Sequence, residues 1–329
     1  MYQLETNIPV PHCAPFTTPH HVLTSSDLDA KQMREILDLA KRMKIWRGKG
    51  SIVWPVDGLL LAMIFEKQSL RTRVSFEAAF RELGGHAVYL TKADIDMGAR
   101  EPIADIAKVL SSWCSIIVAR VKRHDSLVEL ASHATVPVVN ALSDEEHPCQ
   151  ALADMLTIEE HFGISGGRKI AWIGDGNNVA NSFAVAGAAL GYEVVVCTPE
   201  GYEPSAAVLT LPGISLTHEP AKALDGAAVV STDVWISMGN EDEEEARMRA
   251  FAGFRVDGKA MFLASPGAIF MHCLPARRGL EVASEVIDGP QSVVFQQAEN
   301  RLHAQKALMK LLLDGFSEQP SLDFGFGKE

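Results

Sequence analysis

The sequence predicts an α/β protein built from two doubly wound domains, each a mainly parallel sheet flanked by helices. Three observations predict it. Apolar strand-like runs alternate with segments of helical period in both halves of the chain. The 329 residues are enough for two domains of ordinary size. A glycine-rich stretch, Gly163-Ile164-Ser165-Gly166-Gly167, separates the halves.

The elements follow in order. Ser26 and Asp27 read as the cap of a helix over 30–43, with Met33, Ile36, Leu37 and Ala40 on one face. The apolar run 59–65 is a buried strand, too short for a membrane span. Phe76, Ala79, Phe80 and Leu83 fall at i, i+3, i+4 and i+7, which predicts a helix over 72–83 that Gly84-Gly85 ends. A strand at 86–90, a polar loop over 91–100 and a helix holding Ile103, Ile106, Val109 and Leu110 come next, then strands at 115–119 and 136–140. This half closes near Pro148, and a helix over 151–162 leads to the glycine-rich stretch. Strand 169–174, helix 179–190 and strand 193–198 make a second βαβ pattern, which strands at 227–232 and 269–273 extend. A last helix over 297–316 carries Leu302, Leu308, Leu311 and Leu312 as a stripe.

Composition bounds the function. A hydrophobic content of 47% with 22% charged residues is that of a globular protein. The net charge of -12 argues against nonspecific nucleic-acid binding, so any anion site must be a local basic pocket. No apolar run reaches the roughly 20 residues of a membrane helix. Residues 1–18 lack the basic start and apolar core of a secretion signal and contain no arginine, so neither export nor mitochondrial import is expected. Pro9, Pro11, Pro15 and Pro19 mark an extended arm over about residues 1–20. Five scattered cysteines suit a reduced, cytoplasmic protein.

Six segments carry chemistry. Ser69-Leu70-Arg71-Thr72-Arg73 sits between a strand and a helix, where free N–H groups, the helix dipole and two guanidinium groups favour a phosphate. The same residues also suit a capped surface helix with two solvated arginines. His147-Pro148-Cys149-Gln150 places an imidazole and a carboxamide three residues apart, suited to one small carbonyl-and-amide group, or alternatively to core packing beside a turn. Gly174-Asp175-Gly176-Asn177-Asn178 occupies a strand-to-helix turn of the kind that binds ligands, but Val179 stands where a dinucleotide fingerprint needs its third glycine; the asparagines suit a small polar ligand, or a helix cap. The missing glycine disfavours a nicotinamide dehydrogenase. Asp233, followed by Ser237-Met238-Gly239, suits the cationic α-amine of an amino acid, or a strand end with a cap. His272-Cys273-Leu274-Pro275 ends an apolar strand, and Glu299-Asn300-Arg301 opens the last helix. A zinc site from His147, Cys149, His272 and Cys273 lacks ligand spacing, so no metal is expected.

Taken together and in this order, these motifs resemble the aspartate/ornithine carbamoyltransferase family over about residues 21–313. The resemblance implies a carbamoyl phosphate domain over 1–150 and an ornithine domain over 151–329, with about 297–316 packing back on the first. It implies transfer of a carbamoyl group to the side-chain amine of L-ornithine, giving L-citrulline and phosphate, without metal or organic cofactor. It assigns Ser69, Leu70, Arg71, Thr72, Arg120, His147, Gln150, Cys273, Leu274 and Arg301 to carbamoyl phosphate. Asn178, Asp233, Ser237 and Met238 fall to ornithine, and Arg71, Arg120, His147, Asp233 and Cys273 to catalysis. A homotrimer, or a multiple of trimers, is the implied assembly, and arginine biosynthesis the implied setting.

The chain also departs from the family pattern. Asp96 stands where many relatives carry a glutamine that reaches a neighbouring subunit's ligand, and an acid there repels phosphate unless paired. Leu70 replaces a threonine, but only its backbone need touch the ligand. Arg277-Arg278, following His272-Cys273-Leu274-Pro275, resembles the pattern of the acetylornithine carbamoyltransferases. The alternatives are thus a carbamoyltransferase for N-acetylornithine or putrescine, or a catalytically silent paralogue acting as a binding subunit. The Asp233 and Ser237-Met238-Gly239 pair speaks for a free α-amino acid, and the full set of arginines speaks against silence.

Overall fold

The computed structural model describes residues 20–50, 56, 58–164, 166–236 and 243–315. The first half contains α1 (Ala30–Gly48), β1 (Leu60–Phe65), α2 (Leu70–Glu82), β2 (His86–Thr91), α3 (Lys92–Ile95) and α4 (Ile103–Trp113). It continues with β3 (Ile116–Arg120), α5 (His124–His133), β4 (Val138–Leu142) and α6 (Pro148–Phe162). The second half contains β5 (Lys169–Ile173), α7 (Asn178–Ala189), β6 (Glu193–Cys197), α8 (Ala206–Leu209), β7 (Ile214–Thr217), α9 (Pro220–Leu224) and β8 (Val229–Thr232). It ends with α10 (Glu244–Ala250), α11 (Gly258–Leu263), β9 (Ile269–His272), α12 (Ser284–Ile287) and α13 (Val294–Asp314).

Both sheets are parallel, in the orders β2-β1-β3-β4 and β7-β6-β5-β8-β9. In each, the chain starts on an inner strand, runs out to one edge, and then crosses to the other side. Doubly wound sheets bind ligands at such reversals, beyond the carboxyl ends of the strands. The crevices lie after β1 and β3 in the first sheet, and after β5 and β8 in the second.

Successive strand residues face opposite sides, and both sides are covered, which is why the strands read as continuous apolar runs. Leu61, Met63 and Phe65 join a middle core shared with α1, α2, α6, α7 and α13, while Ala62 and Ile64 face an outer core with α4 and α5. A third core covers the far side of the second sheet. The last helix, α13, starts against β9 and packs on α6, α1 and α2, so it returns to the first half of the chain. Charge ties α1 to α6: the wholly buried Glu159 side chain accepts from Arg34 and, at 2.6 Å, from Lys41.

Several local expectations need correction. Asp29, not Ser26-Asp27, caps α1, accepting from Gln32 N–H at 2.8 Å. Asp27 is turned back onto the N–H groups of Leu23 and Thr24, at 2.7 and 2.8 Å. The 91–100 segment is not wholly a loop, since it holds α3, and the amphipathic α5 was not expected. Edge strand β7 and helices α8 to α12 are four to seven residues long, too short for a period to repeat enough to stand out in the sequence. Residue 150 lies in the first turn of α6, and the chain leaves that helix only at Gly163. Helix α13 begins at Val294, earlier than expected; residue 316 and the arm over 1–19 lie outside the described residues.

Gly176 marks the tightest backbone approach at the second crevice. A Cβ there would meet Pro204 N, Glu203 C and Tyr202 O at 2.3, 2.4 and 2.6 Å, all main-chain atoms that cannot swing aside. Gly176→Ala is expected to lower stability by about 1–3 kcal/mol, measured as a shift of the urea midpoint at unchanged slope. A midpoint equal to that of the parent protein would show that the two loops separate freely.

Candidate active site

The first crevice is electropositive. Ser69 caps α2, its side chain accepting from Thr72 N–H at 3.2 Å, so the helix opens at Leu70, two residues before the periodicity alone places it. The N–H groups of Leu70 and Arg71 in that first turn have no acceptor within the helix, which makes the turn an anion seat. Leu70 itself projects to solvent, 76% exposed, whereas Thr72 is fully buried. Arg120 is buried at the end of β3, across the reversal from α2. Burial, then the nearby Arg301 and Arg71, push its pKa down to about 10.

The chain's other end completes this side. Arg301 on α13 is buried, donating from Nη1 to Gln150 Oε1 at 3.0 Å and from Nη2 to Thr72 Oγ1 at 2.9 Å. Burial lowers its pKa as well. Gln150 in turn donates to Asp154 Oδ1 at 2.8 Å, leaving its second amide hydrogen for a ligand. His147 precedes α6, with its N–H held by Ser182 Oγ of α7 at 2.7 Å. Burial, then Arg301 and Arg120, hold its imidazole well below the usual range, so it is neutral at physiological pH. Arg120 Nε, Arg301 Nε and His147 Nδ1 are all buried without a hydrogen-bond partner. Buried polar atoms are normally satisfied, so three orphans around one crevice point to a polar ligand.

The second crevice carries the opposite sign. Asp233 follows β8 and is buried; its Oδ1 accepts from Val234 N–H at 2.8 Å and from Cys273 Sγ at 3.1 Å. Its Oδ2 accepts from Asn177 Nδ2 at 2.9 Å. Burial, then the Asp233 charge, push the Cys273 thiol well above its ordinary range, so it stays protonated. After β9 the backbone turns sharply: Leu274 has φ 59, a left-handed value uncommon for a leucine. Its N–H donates to His272 Nδ1 at 2.9 Å, which leaves His272 Nε2 to donate to Glu281 Oε1 at 3.2 Å.

Asp233, His272 and Cys273 bring three possible metal-ligating atoms within 4.8 Å of one another. Both nitrogens of His272 and the thiol are already engaged in hydrogen bonds, so an ion would have to displace them. The zinc set weighed from the sequence does not assemble as a cluster among the described residues, and Cys149 is turned instead toward Asn140 O at 3.5 Å.

The structure therefore gathers Ser69, Leu70, Arg71, Thr72, Arg120, His147, Gln150 and Arg301 around one crevice, and Asp233, Cys273 and Leu274 around the facing one. Asn178 lies beside the latter, where its Nδ2 donates to Ser143 O at 2.6 Å. Ser237 and Met238 lie outside the described residues. Asp96, with left-handed φ 34, pairs with Lys92 at 3.5 Å. The sequence reading missed two residues of this site, Asp154 and Gln297, while Asn177 fills the helix-capping role read from its turn. Asn177 caps α7 with its oxygen and holds Asp233 with its nitrogen. Asp154 and Gln297 are buried behind Gln150 and His272, and nothing in their spacing signals partners so distant in the chain.

Fold and cleft together are those of a two-domain α/β enzyme. The carbamoyl-phosphate-binding and Asp/Orn-binding domain models of the aspartate/ornithine carbamoyltransferases match residues 20–160 and 166–312. An anabolic ornithine carbamoyltransferase from Pyrococcus furiosus is 50% identical over 303 residues, 89% of this chain and 96% of its own. An ornithine carbamoyltransferase from Carboxydothermus hydrogenoformans is 49% identical over 300 residues, 88% of this chain and 96% of its own. Among solved structures, the Pyrococcus furiosus ornithine carbamoyltransferase superposes with a TM-score of 0.87 at 48% identity, covering 91% of this chain and 99% of that one. The Thermus thermophilus ornithine carbamoyltransferase gives 0.82 at 46%, covering 90% and 100%. The chain belongs to the aspartate/ornithine carbamoyltransferase family.

The neutral His147 has a consequence for stability. Its folded-state pKa lies below the 6.5 of an exposed imidazole, so the unfolded chain takes up the proton first as pH falls. Stability is unaffected above pH 6.5 and declines below it, by about 1.4 kcal/mol per pH unit. Urea unfolding at pH 7.5 and 5.5 should show a larger loss for the parent protein than for His147→Gln. Equal losses would mean that the imidazole is protonated in the folded state.

Proposed function

We propose that the chain transfers the carbamoyl group of carbamoyl phosphate to the side-chain amine of L-ornithine, giving L-citrulline and phosphate. The observation that carries this reading is the opposition of two crevices: Arg71, Arg120 and Arg301 in one, Asp233 with Cys273 in the other. A doubly charged donor and an acceptor with a cationic α-amine fit those two sides respectively. The names of relatives about half identical over nearly the full chain support it.

In this reading the α2 N-terminus, Ser69, the Leu70 N–H, Arg71, Thr72 and Arg120 hold the phosphate. His147, the free Gln150 amide hydrogen, Arg301, Cys273 and Leu274 surround the carbamoyl group. Asp233 takes the α-amine of ornithine, with Asn178, Ser237 and Met238 completing that side. The side-chain amine must lose a proton to attack. With a free pKa near 10.4, like that of lysine, deprotonation at pH 8 costs about 3 kcal/mol. A desolvated position beside the uncharged Cys273 thiol favours the neutral amine. Its lone pair attacks the carbamoyl carbon; the tetrahedral intermediate then breaks the bond from that carbon to the bridging oxygen, and the attacking nitrogen gives up its extra proton to the departing phosphate. Arg71, Arg120 and a neutral, hydrogen-bonding His147 stabilise the charge on the carbonyl and phosphate oxygens. Alignment of the two substrates supplies much of the remaining acceleration. These steps use the chain's own side chains, without metal or organic cofactor.

The proposal divides the chain into a donor-binding unit and an acceptor-binding unit that meet at α6 and α13. A trimer or multiple of trimers, a cytoplasmic setting and a place in arginine synthesis belong to the same reading. The anabolic designation of the Pyrococcus furiosus relative supports the last of these. No helix among the described residues is long and apolar enough to cross a membrane. Arg278 gives no support to an acylated acceptor, because it forks onto Asp288 at 2.9 and 2.7 Å on the surface.

Carbamoyl transfer from carbamoyl phosphate should be measured with ornithine, N-acetylornithine, putrescine and aspartate. Ornithine is expected to turn over at least 100-fold faster than the others; inactivity with ornithine alongside turnover of another amine sinks the reading. Arg71→Ala should lower kcat/KM for carbamoyl phosphate by about 100-fold or more, with an unchanged melting temperature because Arg71 is only half-buried. Loss of the folded state in that variant would assign Arg71 a structural role instead.

A further inference from the structure

One oxygen of Asp154 joins the two sides of the cleft. Asp154 sits one turn after Gln150 on α6 and is 1% exposed. Its Oδ1 accepts from Gln150 Nε2 at 2.8 Å and from Gln297 Nε2 of α13 at 2.7 Å. Beyond Gln150, the chain of bonds continues through Oε1 to Arg301 and from Arg301 to Thr72. Beyond Gln297, it continues through Oε1 to the N–H of His272, at 2.9 Å, immediately before Cys273.

The polarity of this chain of bonds is forced. Burial raises the Asp154 pKa to about 6, so at pH 8 its carboxylate is ionised and only accepts, and both glutamines must turn their NH2 groups toward it. Their oxygens then point outward, one to a guanidinium and one to a main-chain N–H, both of which only donate. Any other acceptor arrangement would leave a buried donor facing a donor.

We propose that Asp154 is a positioning residue for carbamoyl transfer, fixing Arg301 and the His272-Cys273 strand end relative to each other across the carbamoyl group. It touches no substrate; it acts by orienting two carboxamides. The inference rests on the proposed carbamoyl transfer for its site, but its own content is the coupling between the Arg301 arm and the Cys273 arm. What matters is an oxygen acceptor at Oδ1, rather than the negative charge.

The test compares Asp154→Ala, Asp154→Asn and Gln297→Ala with the parent protein by ornithine turnover and by calorimetric binding of carbamoyl phosphate. Asp154→Ala is expected to lose about 10- to 100-fold in kcat, with carbamoyl phosphate binding about tenfold weaker and the KM for ornithine within about threefold of the parent's. Asp154→Asn keeps an oxygen in place and should recover most of both losses, a rescue that merely filling space would not give. Gln297→Ala breaks only the arm to His272, so it should lower kcat while leaving carbamoyl phosphate binding intact; it serves as the readout if Asp154→Ala does not fold. Combined with Asp154→Ala, it should cost little more than that single change. Parent-like kcat and binding in Asp154→Ala would overturn the proposal, as would an Asp154→Asn variant as impaired as the alanine. A parent protein that binds carbamoyl phosphate, weakened as described in Asp154→Ala, but leaves ornithine untouched would instead defeat the choice of acceptor.

Discussion

A buried guanidinium is the constraint on which the cleft depends. Taking an ion of this size out of water costs several kcal/mol even after relaxation. Arg301 meets that cost only because α13, at the far end of the sequence, lays it between Thr72 of α2 and Gln150 of α6. The last helix therefore does two jobs at once. Its apolar residues, among them Ala304, Ala307, Leu308 and Leu311, fill the core between the two sheets. Its polar residues, Gln297, Asn300 and Arg301, complete a network that no single half of the chain possesses.

The same burial shapes the electrostatics. Burial lowers the Arg120 pKa most, and Arg301 and Arg71 lie close enough to lower it further. Guanidinium groups this close repel one another, and a dianion among them would relieve that repulsion. Against the overall charge of -12, the arginines form a local well of opposite sign. On the facing side, Asp233 is held at both oxygens, by Cys273, Val234 and Asn177, so its carboxylate has a fixed orientation before any ligand arrives. His147 and Cys273, both kept neutral by burial, stand between the two signs. Preorganised groups of this kind need little rearrangement during reaction, which is what electrostatic catalysis requires.

The parallel topology explains why these groups meet at all. Within each sheet every strand runs the same way, so the loops that follow its strands emerge at one end of that sheet. Ser69 and Arg120 flank the reversal in the first sheet, and Asn177 and Asp233 flank the reversal in the second. The core shared by α1, α2, α6, α7 and α13 then sets the two reversals against each other. Glu159 adds a charged tie between α1 and α6, away from the cleft.

The sequence by itself determined the alternation of strand and helix, the two parallel sheets, and the motifs that carry charge. Continuous apolar runs such as Leu61 to Phe65 and the period of Phe76, Ala79 and Phe80 are local signals, readable without knowing what packs against them. Ser69 was legible as a cap for the same reason. The sequence could not show that Asp29 rather than Asp27 caps α1, since two acids two residues apart compete and only the surrounding N–H groups decide. Nor could it reveal short edge elements such as β7, whose pairing comes from β6. In the site, tertiary structure decided which asparagine holds Asp233, how Gln150 is oriented, and that Asp154 and Gln297 belong there. Hydrogen bonds between residues 143 positions apart, as for Gln297 and Asp154, leave no periodicity in the chain. Local residue preferences write the elements and their charges into the sequence; long-range burial and hydrogen-bond polarity choose the partners, and these exist only once the chain has folded.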